Sequence, residues 1–453
     1  MIAARFSRFY FVGIGGIGMS AIARLLLQRG FAVAGYDKTP SDITAALQAE
    51  GASISFEDEL SSIPAAMLEA QHTLIISTPA VPVGQKIPAF FRENGFEMVK
   101  RAKALGMITA DGITLAVAGT HGKTTTTSLI AHLLEVAQYA FTALLGGVST
   151  NYGSNLLSRG TEYFVTEADE FDRSFLQLQP AYAAITSMDA DHLDIYGDAA
   201  SMHQAYADFA ALVRRKLVYQ VNAPLPLPAG LATQAYGPGA AIQAANIRIE
   251  NGRFVFDYQG NVNIFDLVCG MPGLHNIENA LAAITLVLEI GVQPEAIREG
   301  MASFKGVKRR FELVYEGAGK VYIDDYAHHP TEIAALLDSV RMLYPGKKVL
   351  GIFQPHLFSR TRDFMAGFAE SLSQLDSCLL LDIYPARELP IEGISSAALL
   401  SQISCQKQLV AKQDLVAAVA AQSFDVLLTI GAGDIDRLVQ PLAAYLQKQE
   451  VQA

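Results

Sequence analysis

A chain of 453 residues is too long for a single core, and at the usual domain size of about 100 to 200 residues it divides into three domains. Half of its residues are apolar, yet no run approaches the roughly 18 uninterrupted apolar residues of a membrane span and the N-terminus lacks the apolar block of a secretion signal, so a soluble cytoplasmic protein is expected. A net charge of −11 with no dense Lys/Arg block excludes nucleic acids and anionic membranes as partners, so phosphate ligands have to be held by helix N-termini, single lysines and a divalent metal.

In chain order, the first hundred residues alternate short β-rich runs with helical patterns: RFYFVGIG, SAIARLLLQRG, FAVAGYD, DITAALQAEG and HTLIISTPAV. This alternation predicts a parallel sheet with helices on its faces. The pattern restarts near residue 112 with GITLAVAGTHGKTTTTSLIAHLLEVA, followed by strand-like EYFVTEADE and YAAITSMDADHLD. A β-rich stretch with Pro and Gly spans about 220 to 272, before the strongly helical LHNIENALAAITLVLEIG. A third alternation runs from KVYIDDYAHHPTEIAALLDSV through KKVLGIFQPHLFSRTRDF and SCLLLDIYPARE to FDVLLTIGAGDIDRLVQPL. Each polar motif follows directly on an apolar strand, and in open α/β sheets ligands bind beyond the carboxyl ends of strands. Cys269, Cys378 and Cys405 are scattered and lack CxxC spacing, which predicts reduced packing residues rather than a disulfide framework or a zinc site.

Two glycine turns stand out. Gly13, Gly15 and Gly18 form G-x-G-x-x-G between a strand and a helix, with Asp37 closing the next strand; the glycines let the backbone approach a diphosphate at the helix N-terminus, and any nucleotide diphosphate fits the same physics. The bland alternative is a merely tight turn. Gly119, Gly122, Lys123 and Thr124 form G-x-x-G-K-T, in which backbone N–H groups and the ammonium hold β and γ phosphates and the threonine hydroxyl reaches Mg²⁺. The position five residues before Gly122 is Val117 instead of the glycine of a standard phosphate loop, so this is a shortened variant.

TEADEFD (Glu167, Asp169, Glu170) and DADHLD (Asp189, Asp191, His192, Asp194) both end predicted strands beside that loop and suit a hard divalent cation, the alternative for each single acid being a solvated turn. His275, Asn276 and Asn279 open a helix, where Asn276 alone reads as a cap. DDYAHHPTE (Asp324, Asp325, His328, His329) and FQPHLFSRTRD (His356, Arg360, Arg362) gather charge and imidazole after two buried strands, and arginine there suits planar recognition of a carboxylate.

Taken together, GIGGIGMS, GTHGKTTTT, EADE, DADHLD, HNIENALAA and DDYAHHPTE in this order make the whole chain resemble the Mur ligases, ATP-dependent amide-forming enzymes of bacterial cell-wall precursor synthesis. The resemblance implies three α/β domains: a Rossmann-like UDP-binding domain (1–106), a central P-loop-type ATPase domain (107–308) and a C-terminal Rossmann-like, amino-acid-binding domain (309–453). It is strongest to the branch that joins L-alanine to UDP-N-acetylmuramate. The alternative is the recycling branch that attaches the tripeptide L-alanyl-γ-D-glutamyl-meso-diaminopimelate. By resemblance, Gly13, Gly15, Gly16, Gly18, Met19, Ser20, Asp37, Ser77 and His121 hold the UDP substrate. Gly119, Thr120, His121, Gly122, Lys123, Thr124, Thr125, His275, Asn276, Asn279 and Asp325 hold ATP; Thr124, Glu167 and His192 hold Mg²⁺ or Mn²⁺; and Lys123, His328 and Arg360 act in catalysis and alanine recognition. Because the N- and C-terminal domains must bring their ligands to the central phosphate site, domain closure on binding is expected, and so is a monomer or weak homodimer.

Two departures bear on the branch. The C-terminal motif has Leu357 where alanine ligases often carry a first arginine, which leaves Arg360, with Arg362 beside it, to recognise the amino-acid carboxylate. The stretch from Tyr196 to Arg215 has no lysine, matching the alanine branch and not the sister branches with a carbamylated lysine there. Two other function classes remain open on the residues alone. An NAD dehydrogenase would use the first glycine turn and leave GTHGKTTTT idle, and a nucleotide switch would hydrolyse ATP indifferently to the other substrates.

Overall fold

The computed structural model describes residues 5–78, 84–189, 196–386 and 388–452. The first sheet is built from β1 (Arg8–Val12), β2 (Ala32–Tyr36), β3 (Ser53–Ser55), β4 (Thr73–Ser77) and β5 (Glu97–Lys100) in the order β3-β2-β1-β4-β5, all parallel. The chain leaves β1 to one side and returns on the other at β4, so the first glycine turn sits at a reversal of strand order, where such sheets bind ligands.

The second sheet contains β6 (Ile113–Ala118), β7 (Phe141–Ser149), β8 (Ser154–Ser158), β9 (Tyr163–Ala168), β10 (Tyr182–Ile185), β11 (Lys216–Gln220) and β12 (Ala232–Tyr236), ordered β12-β11-β10-β6-β9-β7-β8. Only the β7–β8 hairpin is antiparallel among its recorded pairings. β6 lies between β10 and β9, so the phosphate-type loop after β6 is flanked by the ends of both acid-bearing strands. β13 (Gln243–Glu250), β14 (Arg253–Gln259) and β15 (Ile264–Cys269) form a separate three-stranded sheet in that order.

The last sheet holds β16 (Glu312–Gly317), β17 (Lys320–Asp325), β18 (Val349–Phe353), β19 (Ser377–Leu380), β20 (Gln406–Leu409) and β21 (Val426–Ile430) in the order β16-β17-β21-β18-β19-β20, parallel apart from β16–β17. Its central strands β18 and β21 are buried at every position. That is why FDVLLTIG and KKVLGIF read as unbroken apolar runs: helices cover both faces of a parallel sheet.

By compactness the chain forms two units, one of Met1–Ile247, Phe256–Val268 and Glu278–Lys305, the other of Arg248–Val255, Cys269–Ile277 and Gly306–Ala453. In the first unit a single apolar cluster runs from Phe9, Phe11 and Leu26 to Ala116, Phe164, Phe175 and Phe209. The first two sheets therefore share a core, and their glycine turns are held in one frame. The second unit has its own core around Tyr322, Leu350, Ile352 and Leu427. Cys269 and Cys378 are buried, Cys405 is half-buried, and all three are free thiols. Among the described residues no helix is long and apolar enough to cross a membrane.

Candidate active site

Gly13 (φ +86°) turns the chain out of β1, and its N–H and that of Ile14 donate to the Tyr36 carbonyl at 2.8 and 3.2 Å. The helix Ile17–Gln28 starts from Gly16 with no side chain capping its first turn. Its leading N–H groups are the kind that bind an anion. Asp37 follows β2 and accepts the N–H groups of Gly15 (2.7 Å) and Thr39 (3.2 Å), so it faces the glycine turn. Met19 and Ser20 are buried; the Ser20 hydroxyl donates to the Ile17 carbonyl (2.8 Å) and is held inside the fold. Ser77 ends β4 with its hydroxyl 3.5 Å from the Val99 carbonyl.

The second turn is shorter because Val117 belongs to the strand: it is fully buried in β6, in register with Glu167 of β9. Gly119 (φ +137°) leaves no room for a side chain against Thr186, and Gly122 (φ +84°) begins the helix Lys123–Val136 with the Asn279 amide packed where a Cβ would be. The loop is pinned from the end of β10. His121 N–H donates to the Ser187 hydroxyl (2.8 Å), Thr120 N–H to the Ser187 carbonyl (3.3 Å), the Thr120 hydroxyl to the Asp189 carbonyl (3.0 Å), and the Thr186 hydroxyl to the His121 carbonyl. His121 Nε2 lies 3.5 Å from Asp189 Oδ2. Thr125 is buried in the helix.

Lys123 Nζ donates to the Gly119 carbonyl (2.5 Å) and to both oxygens of Glu170 (3.0 and 2.8 Å). Burial by itself would lower its pKa, but Glu170, Asp169 and Glu167 hold it above the ordinary lysine value, so it stays an ammonium. Glu167 shows the opposite balance. Burial raises its carboxyl pKa, against the pull of Lys123, a hydrogen bond with the Thr124 side chain and the Gly146 N–H at 2.9 Å. Gly146 is required there, since a Cβ would overlap the Glu167 carboxylate.

The first turn opens on a cleft that reaches Glu167, the carboxyl that bonds the Thr124 side chain of the second turn. This cleft of about 300 Å³ is lined by Gly16, Gly18 and Met19 of the first turn together with Arg101, Glu167 and Asp169. A substrate held by the first turn can therefore present a group to Glu167, which adjoins the second. Oxygen donors of Thr124 and Glu167 meet beside Lys123, and this set fits a hard divalent cation. His192, the third metal ligand expected from sequence, lies outside the described residues together with Asp191 and Asp194. Among the described residues no group of three or more His, Cys, Asp or Glu forms a metal cage.

In the second unit, Asp325 ends β17 and accepts the N–H groups of Phe311 (2.6 Å) and Ala327 (2.7 Å). Burial pushes its pKa up to about 6, against Arg310 and these two bonds. Asp324 is buried instead against Arg309 Nε (3.2 Å) and the Thr429 hydroxyl (2.5 Å). The guanidinium groups of Arg309 and Arg310 each lie 5.2 Å from the centre of the Tyr326 ring. His328 Nδ1 is 3.0 Å from the Tyr326 carbonyl and 3.2 Å from Glu332 Oε2. Two oxygens at Nδ1 place the ring proton there, which leaves Nε2 as the basic nitrogen. Burial lowers the His328 pKa; Glu332 opposes this, and Arg360 and Arg310 add to it.

Arg360 lies in the short helix Phe358–Asp363, whose first turn follows Leu357 at φ +71°. Leu357 N–H donates to the Tyr384 carbonyl (2.9 Å), and its carbonyl accepts from Thr361 N–H (3.1 Å). Arg362 is exposed and bonded to Asp363 (2.7 Å), so it is Arg360 that acts electrostatically on His328. His275 and Asn276 lie inside the first turn of the helix Leu274–Glu289. Asn276 is the third residue of this helix, and its Nδ2 donates back to the Pro272 carbonyl (2.6 Å).

Three contributors were not legible as site residues. Arg101 lines the cleft. Asn155, fully buried in β8, donates to the Ile17 carbonyl (2.7 Å) and Ser20 Oγ (2.9 Å) and accepts from Arg24, which ties the helix Ile17–Gln28 to the second sheet. Glu332 accepts the N–H groups of His328 (2.9 Å) and His329 (3.2 Å). Only Glu332 had a sequence signal, the capping-box spacing from His329 at the start of a helix.

Comparison with known proteins adds the family. The model of the Mur ligase family catalytic domain matches residues 8–112, that of the Mur ligase middle domain 117–287, and that of the Mur ligase glutamate ligase domain 309–433. The UDP-N-acetylmuramate–L-alanine ligase of Flavobacterium johnsoniae is 49% identical over 441 residues, 97% of this chain and 98% of its own length. The UDP-N-acetylmuramate-alanine ligase of Thermotoga maritima, 26% identical, superposes with a TM-score of 0.83 over 98% of this chain and 99% of that one. The murein peptide ligase of Psychrobacter arcticus, 22% identical, shares the fold at a TM-score of 0.68 over 97% and 98% of the two chains.

Proposed function

The chain belongs to the Mur ligase family, and from that premise we infer that it joins L-alanine to the lactyl carboxylate of UDP-N-acetylmuramate, with conversion of ATP to ADP and phosphate, in peptidoglycan precursor synthesis. The observation that supports this reading is the cleft at the first glycine turn: it is lined by Gly16, Gly18 and Met19 and also by Glu167, whose carboxyl bonds Thr124 and feels the charge of Lys123, so an acid carried by UDP at Gly13–Gly18 is directed toward the second turn. A dehydrogenase has no use for the second turn, and a nucleotide switch has no use for the first.

A carboxylate is a poor acylating agent, so it is first activated. The lactyl carboxylate attacks the γ-phosphorus of ATP, ADP leaves, and an acyl phosphate forms. Lys123 neutralises charge on the phosphoryl group in flight, an effect of positioning and electrostatics. Thr124 and Glu167, with His192 by family likeness, are the residues to hold Mg²⁺ or Mn²⁺, which supplies charge neutralisation between the nucleotide and the acid. The neutral amine of L-alanine then attacks the acyl carbon, and phosphate leaves from the tetrahedral intermediate. His328 Nε2 is the group to orient the amine or take its proton, and Arg360 the group to hold the alanine carboxylate. Asp325, Asn276, Asn279 and His275 are assigned to the nucleoside of ATP. Such an enzyme works on cytoplasmic precursors.

The test is ADP formation with UDP-N-acetylmuramate, ATP and one amino compound at a time. Turnover that requires both UDP-N-acetylmuramate and L-alanine is expected. Turnover with L-alanyl-γ-D-glutamyl-meso-diaminopimelate in preference to L-alanine would assign the chain to the recycling branch, and ATP hydrolysis indifferent to both partners would remove the ligase reading.

A further inference from the structure

Arg101 follows β5 directly and opens the helix Arg101–Thr109. One of its guanidinium nitrogens, Nη1, lies 2.6 Å from where a Cβ on Gly18 would sit, so the third glycine of the first turn is what lets the arginine lie on the start of the nucleotide helix. The other, Nη2, donates to Asp169 at 2.9 Å. The pair is half-open, with side chains 25% and 34% exposed. Among the described residues lining the cleft Arg101 is the one cation, facing the two carboxylates Glu167 and Asp169.

That balance is wrong for a doubly charged diphosphate arriving next to two acids, unless the arginine changes partner. A guanidinium can leave one carboxylate and meet two phosphate oxygens without rebuilding the backbone, and a pair this exposed is held only weakly. We propose that Arg101 is a specificity-determining residue that exchanges Asp169 for the diphosphate of the nucleotide substrate bound at Gly13–Gly18. Asp169 is then a resident counter-ion that the diphosphate replaces. This rests on the ligase reading above for the identity of the substrate, while the chemistry recognised is that of a nucleoside diphosphate.

The experiment measures UDP and UMP binding by calorimetry on the whole protein, and initial rates with UDP-N-acetylmuramate. Arg101→Ala should weaken UDP binding and raise the KM for UDP-N-acetylmuramate about 10- to 100-fold, with the KM values for ATP and L-alanine little changed; Arg101→Lys should fall between. UMP, which lacks the second phosphate, should lose far less than UDP on the same substitution. Asp169→Asn separates binding from bracing: with its competitor gone, Arg101 should bind UDP as well as or better than in the wild type. The proposal is overturned if Arg101→Ala leaves UDP affinity unchanged, or if Asp169→Asn weakens UDP binding as much as Arg101→Ala does, since Arg101 would then be only a strut. Because UDP binding needs no turnover, absence of alanine-dependent ADP formation in the wild type would strike the ligase reading and leave the Arg101 test standing.

Discussion

Lys123 Nζ and Glu170 form a buried pair, 2.8 Å apart, with side chains only 15% and 2% exposed. In this state the phosphate-loop lysine already has a carboxylate in the place of an anion, so a γ-phosphate arrives as a competitor for a formed charge pair rather than at a bare ammonium. Lys123→Ala is expected to abolish alanine-dependent ADP formation and also to destabilise the fold by about 3 kcal/mol, because Glu170 is left buried without its partner. Combining Lys123→Ala with Glu170→Gln should restore the melting temperature and not the activity. A double variant no more stable than the single one would show that the pair is not what the fold depends on.

Gly146 tests the metal assignment without touching a donor atom. Its N–H bonds Glu167 at 2.9 Å, and a methyl group there would push the carboxylate away. Gly146→Ala should raise the Mg²⁺ concentration needed for half-maximal turnover roughly tenfold, the usual size of a disturbed outer shell. An unshifted Mg²⁺ titration would argue against Glu167 as a ligand.

Arg360→Lys keeps the charge beside His328 and loses the planar fork. With Leu357 in the position of the family's other arginine and Arg362 turned to Asp363, nothing in that helix replaces the second hydrogen bond. The KM for L-alanine should rise about 10- to 100-fold with the KM for ATP unchanged, as read from initial rates at saturating UDP-N-acetylmuramate. Equal increases for both substrates would count against a carboxylate contact.

The pH profile follows from the sign of the shift at His328. Its pKa is lowered by burial and by Arg360 and Arg310, so the neutral, basic imidazole persists to a lower pH than the ordinary value of about 6.5, and the acid limb of kcat/KM for L-alanine should fall below that value. Glu332 works the other way and raises the pKa. Glu332→Gln, which can still accept the His328 and His329 N–H groups, should therefore move the acid limb further down. An acid limb that moves upward would contradict the assignment of His328 as the base.

Much of this molecule is written locally. Alternating apolar runs and helix patterns identified the parallel sheets, because burial on both faces of a strand is recorded in the strand itself, as in β18 and β21. Gly13, Gly119 and Gly122 marked both strand-to-helix turns, because a positive φ and, at Gly119 and Gly122, the close approach of Thr186 or Asn279 demand glycine at that residue. Lys123, Thr124, Glu167 and His328 could be proposed from sequence because their signals lie within a few positions of the turn or strand end that presents them.

What the chain could not record in any one stretch was left to packing. Asp169 and Glu170 are neighbours in sequence, yet one serves Arg101 at the first turn and the other Lys123 at the second, because successive side chains leaving a strand point to different sides. Asn155 reaches Ile17 across 138 residues, and Leu357 takes a backbone conformation that nothing in its own sequence requests. Local periodicity encodes which residues are buried and where the backbone must bend; which charge meets which is decided only when β9 is set beside β6, so that Glu167 at its end reaches both the cleft of the first turn and Thr124 of the second.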